Sequence, residues 1–134
     1  MKLDLSPSLT FNGDCQAAFE FYERILEAKV TFELTWGESP MAANVPPEWG
    51  SKLLYSRLEV GGMSLAGADA LPGTYELPRG FSIVLSTESP EESERLFGLL
   101  GEGGIVTVAL RETFWARRYG SVRDKFGIPW EVQC

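Results

Sequence analysis

The chain has 134 residues, 12 Lys and Arg against 19 Asp and Glu, a formal net charge of −7, two cysteines and no histidine. The length fits one domain with its own core, and the missing histidine excludes serine–histidine and cysteine–histidine catalysis and removes the commonest metal ligand. The acidic balance argues against nucleic acid and anionic membrane surfaces as partners.

The first half of the sequence predicts a strand, a helix and three further strands. Asn12-Gly13 is a turn signal after a short apolar strand, and Asp14 is predicted to cap a helix that runs to about Glu27. Apolar residues recur at helical spacing in that helix and at alternate positions in the strands after it. The strands are predicted at 9–11, 29–36, 52–60 and 63–67. The loop at 37–50 contains three prolines and could be a lid or a dimer contact.

The second half repeats this order after a polar linker at about 69–79. Ser89-Pro90-Glu91-Glu92 indicates a helix start, because Ser89 can cap the helix, Pro90 suits its first position and Glu92 completes a capping box. Glycines just after Leu100 end that helix. Strands are predicted at 81–85, 105–110, 115–122 and 128–132.

The order strand, helix, three strands therefore occurs twice, in module one at about 5–68 and in module two at about 80–134. Each half has too few strands to close a core alone, so we expect a single domain over 1–134. The predicted fold class is α+β, with paired βαβββ modules forming a curved mixed sheet of about eight strands and the helices outside. The concave face of such a sheet suits a small ligand.

Two motifs carry a resemblance to a known family. The sequence reads ETFWARRYGSV at 112–122 and DKFGIPW at 124–130, and its first strand leads through Asn12-Gly13-Asp14 into a helix containing FYERIL. This pattern resembles the vicinal-oxygen-chelate superfamily of glyoxalases, extradiol dioxygenases and bleomycin-binding proteins, and within it the PhnB-like branch. The resemblance implies the paired βαβββ fold and commonly a homodimer.

Many PhnB-like sequences are described as demethylubiquinone methyltransferases, but this chain shows no nucleotide-binding signature. No strand is followed by a GxGxxG turn that opens a helix, and Gly101-Glu102-Gly103-Gly104 follows a helix instead.

The resemblance also implies positions for a metal site. In metal-dependent relatives, His or Glu ligands project from the first and last strands of each half. Carried over by position, these places fall near Pro7 and Phe81 in the first strands and at Ser64 and Glu131 in the last strands. Proline and phenylalanine cannot bind a cation, and one carboxylate is a poor divalent-metal site. We therefore predict no metal and no cofactor.

Glu131 and Tyr55 are the candidate catalytic residues. If Trp130 and Val132 face the helices, Glu131 faces the cup, where burial would raise its pKa and fit it to act as a base or to bind a cation. The alternative is an ordinary strand glutamate paired with an arginine. Tyr55 could donate a hydrogen bond to a ligand oxygen or be a buried structural tyrosine.

The remaining candidates are expected to bind a ligand through aromatic or cationic side chains. They are Trp115, Arg117, Tyr119, Trp130 and Arg57. Core packing or a dimer contact is the alternative for the aromatic residues, and surface salt bridges are the alternative for the arginines.

We expect a cytoplasmic homodimer that binds a small organic molecule in the cup without the usual metal, with no nucleic-acid or membrane partner. The cytoplasmic assignment follows from the lack of a signal or membrane segment and of a disulfide framework. One alternative is a metal-independent isomerase, lyase or transferase that uses Glu131 as acid/base, with Tyr55 or an arginine polarising a carbonyl. The other is a resistance-type binder that sequesters a cationic antibiotic.

Overall fold

The computed structural model describes residues 1–134 as two compact units, Met1–Glu76 and Leu77–Cys134, each with one α-helix and one four-stranded sheet. The elements in chain order are β1 (Ser8–Phe11), α1 (Cys15–Leu26), β2 (Lys29–Thr35), β3 (Leu53–Val60), β4 (Met63–Asp69), β5 (Ile83–Ser86), α2 (Pro90–Gly101), β6 (Ile105–Arg111), β7 (Tyr119–Arg123) and β8 (Pro129–Gln133). The predicted α+β class and the doubled βαβββ order are confirmed. The eight strands lie in two mixed sheets of four.

The two units share one sheet topology. The first sheet has the order β1-β4-β3-β2 and the second has the order β5-β8-β7-β6. In each, the first strand pairs in parallel with the last strand of the unit, and the other neighbours are antiparallel. A parallel pair requires a long crossover connection. The helix forms part of that connection and covers one face of its own sheet.

The core of the first unit lies between α1 and its sheet. Phe11 and Phe19 are fully buried and their rings meet edge to face, with centroids 5.9 Å apart. Gly67 on β4 lies directly under the helix, where a Cβ atom would stand 2.5 Å from Cζ of Phe19. The glycine is therefore required by the close approach of helix and strand.

A carboxylate from β4 caps α1. Asp14 occupies the predicted N-cap position, but the prediction that its side chain caps the helix is wrong, because that side chain makes no capping hydrogen bond. Oδ1 of Asp69 accepts hydrogen bonds from the backbone N–H groups of Gly13 and Cys15 at 2.9 and 3.0 Å, and Oδ2 accepts one from Leu53 at 2.8 Å. Asp69 thereby joins the helix start, β3 and β4.

In the second unit, Trp130 is a core residue. Its side chain is 1% exposed and lies on the α2 side of the sheet beside Val122 and Val132. Its Nε1–H donates a 2.8 Å hydrogen bond to the buried Asp124. Its burial is that of a core residue, and the ligand-binding role expected of Trp130 stays a prediction.

The predicted strand at 115–122 begins later than expected, at Tyr119. Thr113 closes a turn with Ala116, because the Thr113 N–H donates to the Ala116 carbonyl at 3.0 Å and the Thr113 hydroxyl accepts from the Ala116 N–H at 3.1 Å. The turn leaves Phe114 96% exposed and Trp115 57% exposed.

The loop at 37–50 is attached to its own unit. The indole N–H of Trp49 donates to the Ala70 carbonyl at 3.1 Å, and the Gly37 N–H donates to the Gly50 carbonyl at 2.9 Å. A lid role and a dimer role for this loop both stay predictions. Neither 12-residue helix is long and apolar enough to cross a bilayer.

Candidate functional site

Glu131 lies on the sheet face opposite α2. Its neighbours on β8, Trp130 and Val132, are buried on the helix side, and alternation turns Glu131 the other way. On β7, Ser121 stands directly opposite Glu131 and Tyr119 shares its face. This face carries a concavity of about 320 Å³. It is lined by Phe81, Ser82, Thr107, Tyr119, Ser121, Arg123 and Glu131, and the buried Trp130 also borders it.

The Glu131 carboxylate is held by two hydroxyl groups. Ser82 donates to Oε2, and the Tyr119 hydroxyl donates to Oε1 at 2.6 Å. The Ser82 hydrogen bond first, and the Tyr119 hydrogen bond second, lower the pKa of Glu131 against the opposing effect of burial. The sequence had led us to expect burial to raise this pKa. The carboxylate is thus ionised at neutral pH and fixed in orientation.

Tyr119 is the complementary donor in this arrangement. Its hydrogen bond to Glu131, partial burial and the negative charge of Glu131 all raise the pKa of the phenol. Tyr119 therefore stays protonated at neutral pH and keeps donating to the carboxylate. The pair presents a stable negative charge.

Replacing Ser82 with alanine or Tyr119 with phenylalanine is expected to raise the pKa of Glu131 towards its ordinary value, with the larger rise for Ser82→Ala. A glutamate whose pKa is depressed on folding stabilises the folded chain above the unfolded pKa, and this contribution is lost as pH falls through the folded value. Titration of the Glu131 side-chain carboxyl by ¹³C NMR measures the pKa. Tyr55→Phe, in the other unit, is the control and should leave it unchanged. An unchanged Glu131 pKa in both site variants would contradict the assignment.

Two further hydroxyls and a guanidinium complete the concavity. Thr107 Oγ1 and Ser121 Oγ lie 2.7 Å apart. Nη1 of Arg123 donates to the main-chain carbonyls of Pro78 and Gly127 at 2.8 and 2.6 Å. No carboxylate forms an ion pair with Arg123.

Sequence reasoning did not select several of these residues. Ser121 could have been found, because it follows Tyr119 at a two-residue step and so shares its face. Ser82 carries no local signal, since it precedes β5 and reaches Glu131 only through the pairing of β5 with β8.

Of the other candidates in the second unit, Trp115 lies beside the site and Arg117 makes its contact elsewhere. The Trp115 ring lies 5.3 Å from that of Tyr119 and 4.7 Å from that of Phe114, measured between centroids, so Trp115 adjoins the site through Tyr119. Nη2 of Arg117 donates instead to the carbonyl of Glu88, at the connection between β5 and α2.

Tyr55 and Arg57 form a separate cluster on β3 of the first unit. Tyr55 is 38% exposed, and its ring lies 5.8 Å from that of Phe32. Arg57 forms an ion pair with the exposed Asp4 at 2.9 Å. The alternative of a buried Tyr55 is therefore wrong. Arg57 makes a surface ion pair of the kind given as its alternative, and its role in ligand binding stays a prediction.

The residues of the concavity do not fit the divalent cation of metal-dependent relatives. Glu131 is its one carboxylate, and both carboxylate oxygens accept hydrogen bonds from hydroxyls. No three His, Cys, Asp or Glu side chains in the chain are grouped as ligands for a metal ion.

The comparisons with known proteins decide the family. The family model described as 3-demethylubiquinone-9 3-methyltransferase matches residues 4–133. Protein YjdN of Escherichia coli strain K12 is 33% identical over 138 residues, covering 97% of this chain and 94% of YjdN. The chain belongs to this PhnB-like family.

Solved structures share the fold of this chain. Protein PA1353 from Pseudomonas aeruginosa is 40% identical with a TM-score of 0.90, covering 99% of this chain and 98% of that one. The PhnB protein from Bacillus cereus has a TM-score of 0.83 at 16% identity, with 98% of each chain covered, and shares the fold.

The glycine-rich stretch of this PhnB-like chain has a packing explanation. It joins the end of α2 to β6, and a Cβ atom on Gly104 would collide with the Arg123 carbonyl oxygen on β7. The stretch therefore allows close approach of the backbone to β7. A role in holding a nucleotide is not needed to explain it.

Proposed function

We propose that this PhnB-like protein binds a small, polar organic molecule in the concavity around Glu131, without a metal ion. The observation that carries the proposal is the ionised Glu131 carboxylate, held by Ser82 and Tyr119 in a concavity of about 320 Å³. A charged acceptor whose orientation is already fixed loses little conformational entropy when a ligand binds. Phe81, which is 48% exposed, offers an apolar surface in the same concavity.

The direction of the pKa shift favours binding over proton transfer. A general base works best when its pKa lies near the operating pH. The hydrogen bonds from Ser82 and Tyr119 lower the pKa of Glu131 instead, which weakens it as a base. Sequestration of a cationic antibiotic would use the same carboxylate, so that alternative is one possible outcome of the screen below.

The test is a screen of small amines, amino acids, alcohols and acids against the wild-type chain and Glu131→Gln. Binding is measured by thermal shift and confirmed by NMR at pH 7. We expect at least one class to bind, with affinity falling about tenfold or more in Glu131→Gln, because a hydrogen bond to a charged group contributes roughly 1.5–3 kcal/mol.

The matched control is Glu59→Gln, which changes an exposed strand glutamate in the first unit and should retain full affinity. Equal binding by Glu131→Gln, or no binding by any compound, would contradict the proposal. Turnover of a bound compound that is lost in Glu131→Gln would support the enzymatic alternative.

We also propose a homodimer. Phe114 and Trp115 are 96% and 57% exposed, with ring centroids 4.7 Å apart, and adjoining exposed apolar surface of this kind is typical of a site that another chain covers. Light scattering coupled to size exclusion is expected to give twice the mass of one chain at micromolar concentration. The mass of one chain would overturn this proposal.

The cytoplasm is the proposed location. Cys15 is buried and Cys134 is partly exposed, and both are free thiols. Burial, together with the charges of Asp69 and Asp14, raises the pKa of the Cys15 thiol. An unreactive buried thiol and the lack of any disulfide suit a reducing compartment.

A further inference from the structure

The concavity contains two opposite charges that do not neutralise each other. The Glu131 carboxylate accepts hydrogen bonds from two neutral hydroxyls, and Nη1 of Arg123 donates to two main-chain carbonyls. No ion pair joins either side chain to another charged group. Nε and Nη2 of Arg123 remain available as donors to a ligand.

The strand register sets the spacing of these two charges. Ser121 is opposite Glu131 in the ladder, and Arg123 is the next residue of β7 on the same face. A two-residue step along a strand is about 7 Å. The carboxylate and the guanidinium therefore lie on adjoining parts of one wall, with the Ser121 and Thr107 hydroxyls beside them.

We infer that the ligand, whose binding rests on the proposed function, is a small zwitterion: a protonated amine that binds Glu131 and a carboxylate that binds Arg123, separated by a few carbon atoms. The guanidinium of Arg123 suits a carboxylate because its N–H groups form a planar fork.

Ligands of other charge fit this wall less well. A simple cation would leave Arg123 unpaired and would lie near the positive charge of its guanidinium. A simple anion would leave Glu131 unpaired and would lie near the negative charge of its carboxylate. A neutral molecule would desolvate both charged groups without pairing either. Leaving one of these charges unpaired lowers the affinity for ligands of the wrong charge.

Three molecules of nearly equal size test the inference on the wild-type chain: β-alanine carries both charges, n-propylamine the positive one and propionate the negative one. Titration by NMR at pH 7 is expected to show at least tenfold tighter binding of β-alanine than of either other compound. Glycine and 4-aminobutyrate vary the separation of the charges.

Two variants assign the charges. Glu131→Gln should weaken the binding of β-alanine and propylamine but strengthen that of propionate, because it removes the like charge beside the anion. Arg123→Gln should weaken the binding of β-alanine and propionate but strengthen that of propylamine. If the loss of the bonds to Pro78 and Gly127 prevents folding, Arg123→Lys keeps the charge but not the planar fork and should weaken β-alanine and propionate to a smaller extent. Glu59→Gln is the control for both.

The results separate the two claims. If propylamine binds as tightly as β-alanine, or if only neutral compounds from the wider screen bind, and Glu131→Gln weakens that binding, the zwitterion inference is wrong and the proposed function stands. If propionate binds as tightly as β-alanine and Glu131→Gln does not weaken any ligand, both are wrong. If no compound binds, both fail.

Discussion

Replacing Asp69 with alanine is expected to lower the free energy of unfolding by about 3 kcal/mol or more. Three backbone N–H groups, those of Gly13, Cys15 and Leu53, donate to this carboxylate, which is 2% exposed. A buried donor that loses its acceptor costs roughly 1–3 kcal/mol. Alanine removes the acceptor from all three donors.

Urea unfolding followed by tryptophan fluorescence measures the change. Asp69→Asn should fall between alanine and wild type, because one amide oxygen still accepts while the amide NH₂ faces a donor. Asp4→Ala is the control, since Asp4 is an exposed residue with a surface ion pair and its loss should change stability little. An Asp69→Ala variant as stable as Asp4→Ala would show that the carboxylate does not hold these segments together.

The two helix starts show one case in which sequence reasoning predicts the cap and one in which it does not. The Ser89 side chain accepts from the Glu92 N–H at 3.2 Å, as predicted, because donor and acceptor are three residues apart and the pattern is local. The cap of α1 comes from Asp69, which is 54 residues away from Cys15 along the chain. A tertiary contact of that kind leaves no signal around Asp14.

A contact that the local pattern does not reveal also explains why β7 begins at Tyr119 and not at the predicted position 115. Aromatic and branched residues from Trp115 onwards favour a strand by propensity. The Thr113 hydroxyl competes by hydrogen bonding to the backbone of Ala116, which makes a turn in place of a ladder. Side-chain competition for backbone groups is decided by geometry, which propensity does not describe.

In the candidate site, too, one property of Glu131 was predictable from the sequence and another was not. Side chains alternate along β8, so the burial of Trp130 and Val132 against the helix is enough to predict that Glu131 points to the other face of the sheet. The direction of its pKa shift was not predictable, because Ser82 is 49 residues away from Glu131 and reaches it through the pairing of β5 and β8. Sequence pattern thus predicts which way a strand residue faces, and tertiary pairing decides its chemistry.

Replacing Trp130 with alanine is expected to lower the free energy of unfolding by about 3–5 kcal/mol, the usual cost of removing a large buried aromatic side chain. The ring is 1% exposed, and its N–H donates to the buried Asp124. Trp130→Phe keeps most of the volume and loses the hydrogen bond, so a smaller loss of about 1–3 kcal/mol is expected. Urea unfolding of both variants provides the values.

Trp130→Phe also separates a core role from a ligand-binding role. Because the ring lies on the α2 side and Glu131 on the other, the variant should bind the ligands of wild type with affinity changed by less than about threefold, while its stability falls. Trp115→Ala is the comparison, since that ring is 57% exposed and contacts Tyr119. A Trp130→Phe variant that keeps its stability but loses binding would show that Trp130 acts in the ligand site. Loss of stability alone would establish that its side chain supports the strand on which Glu131 stands.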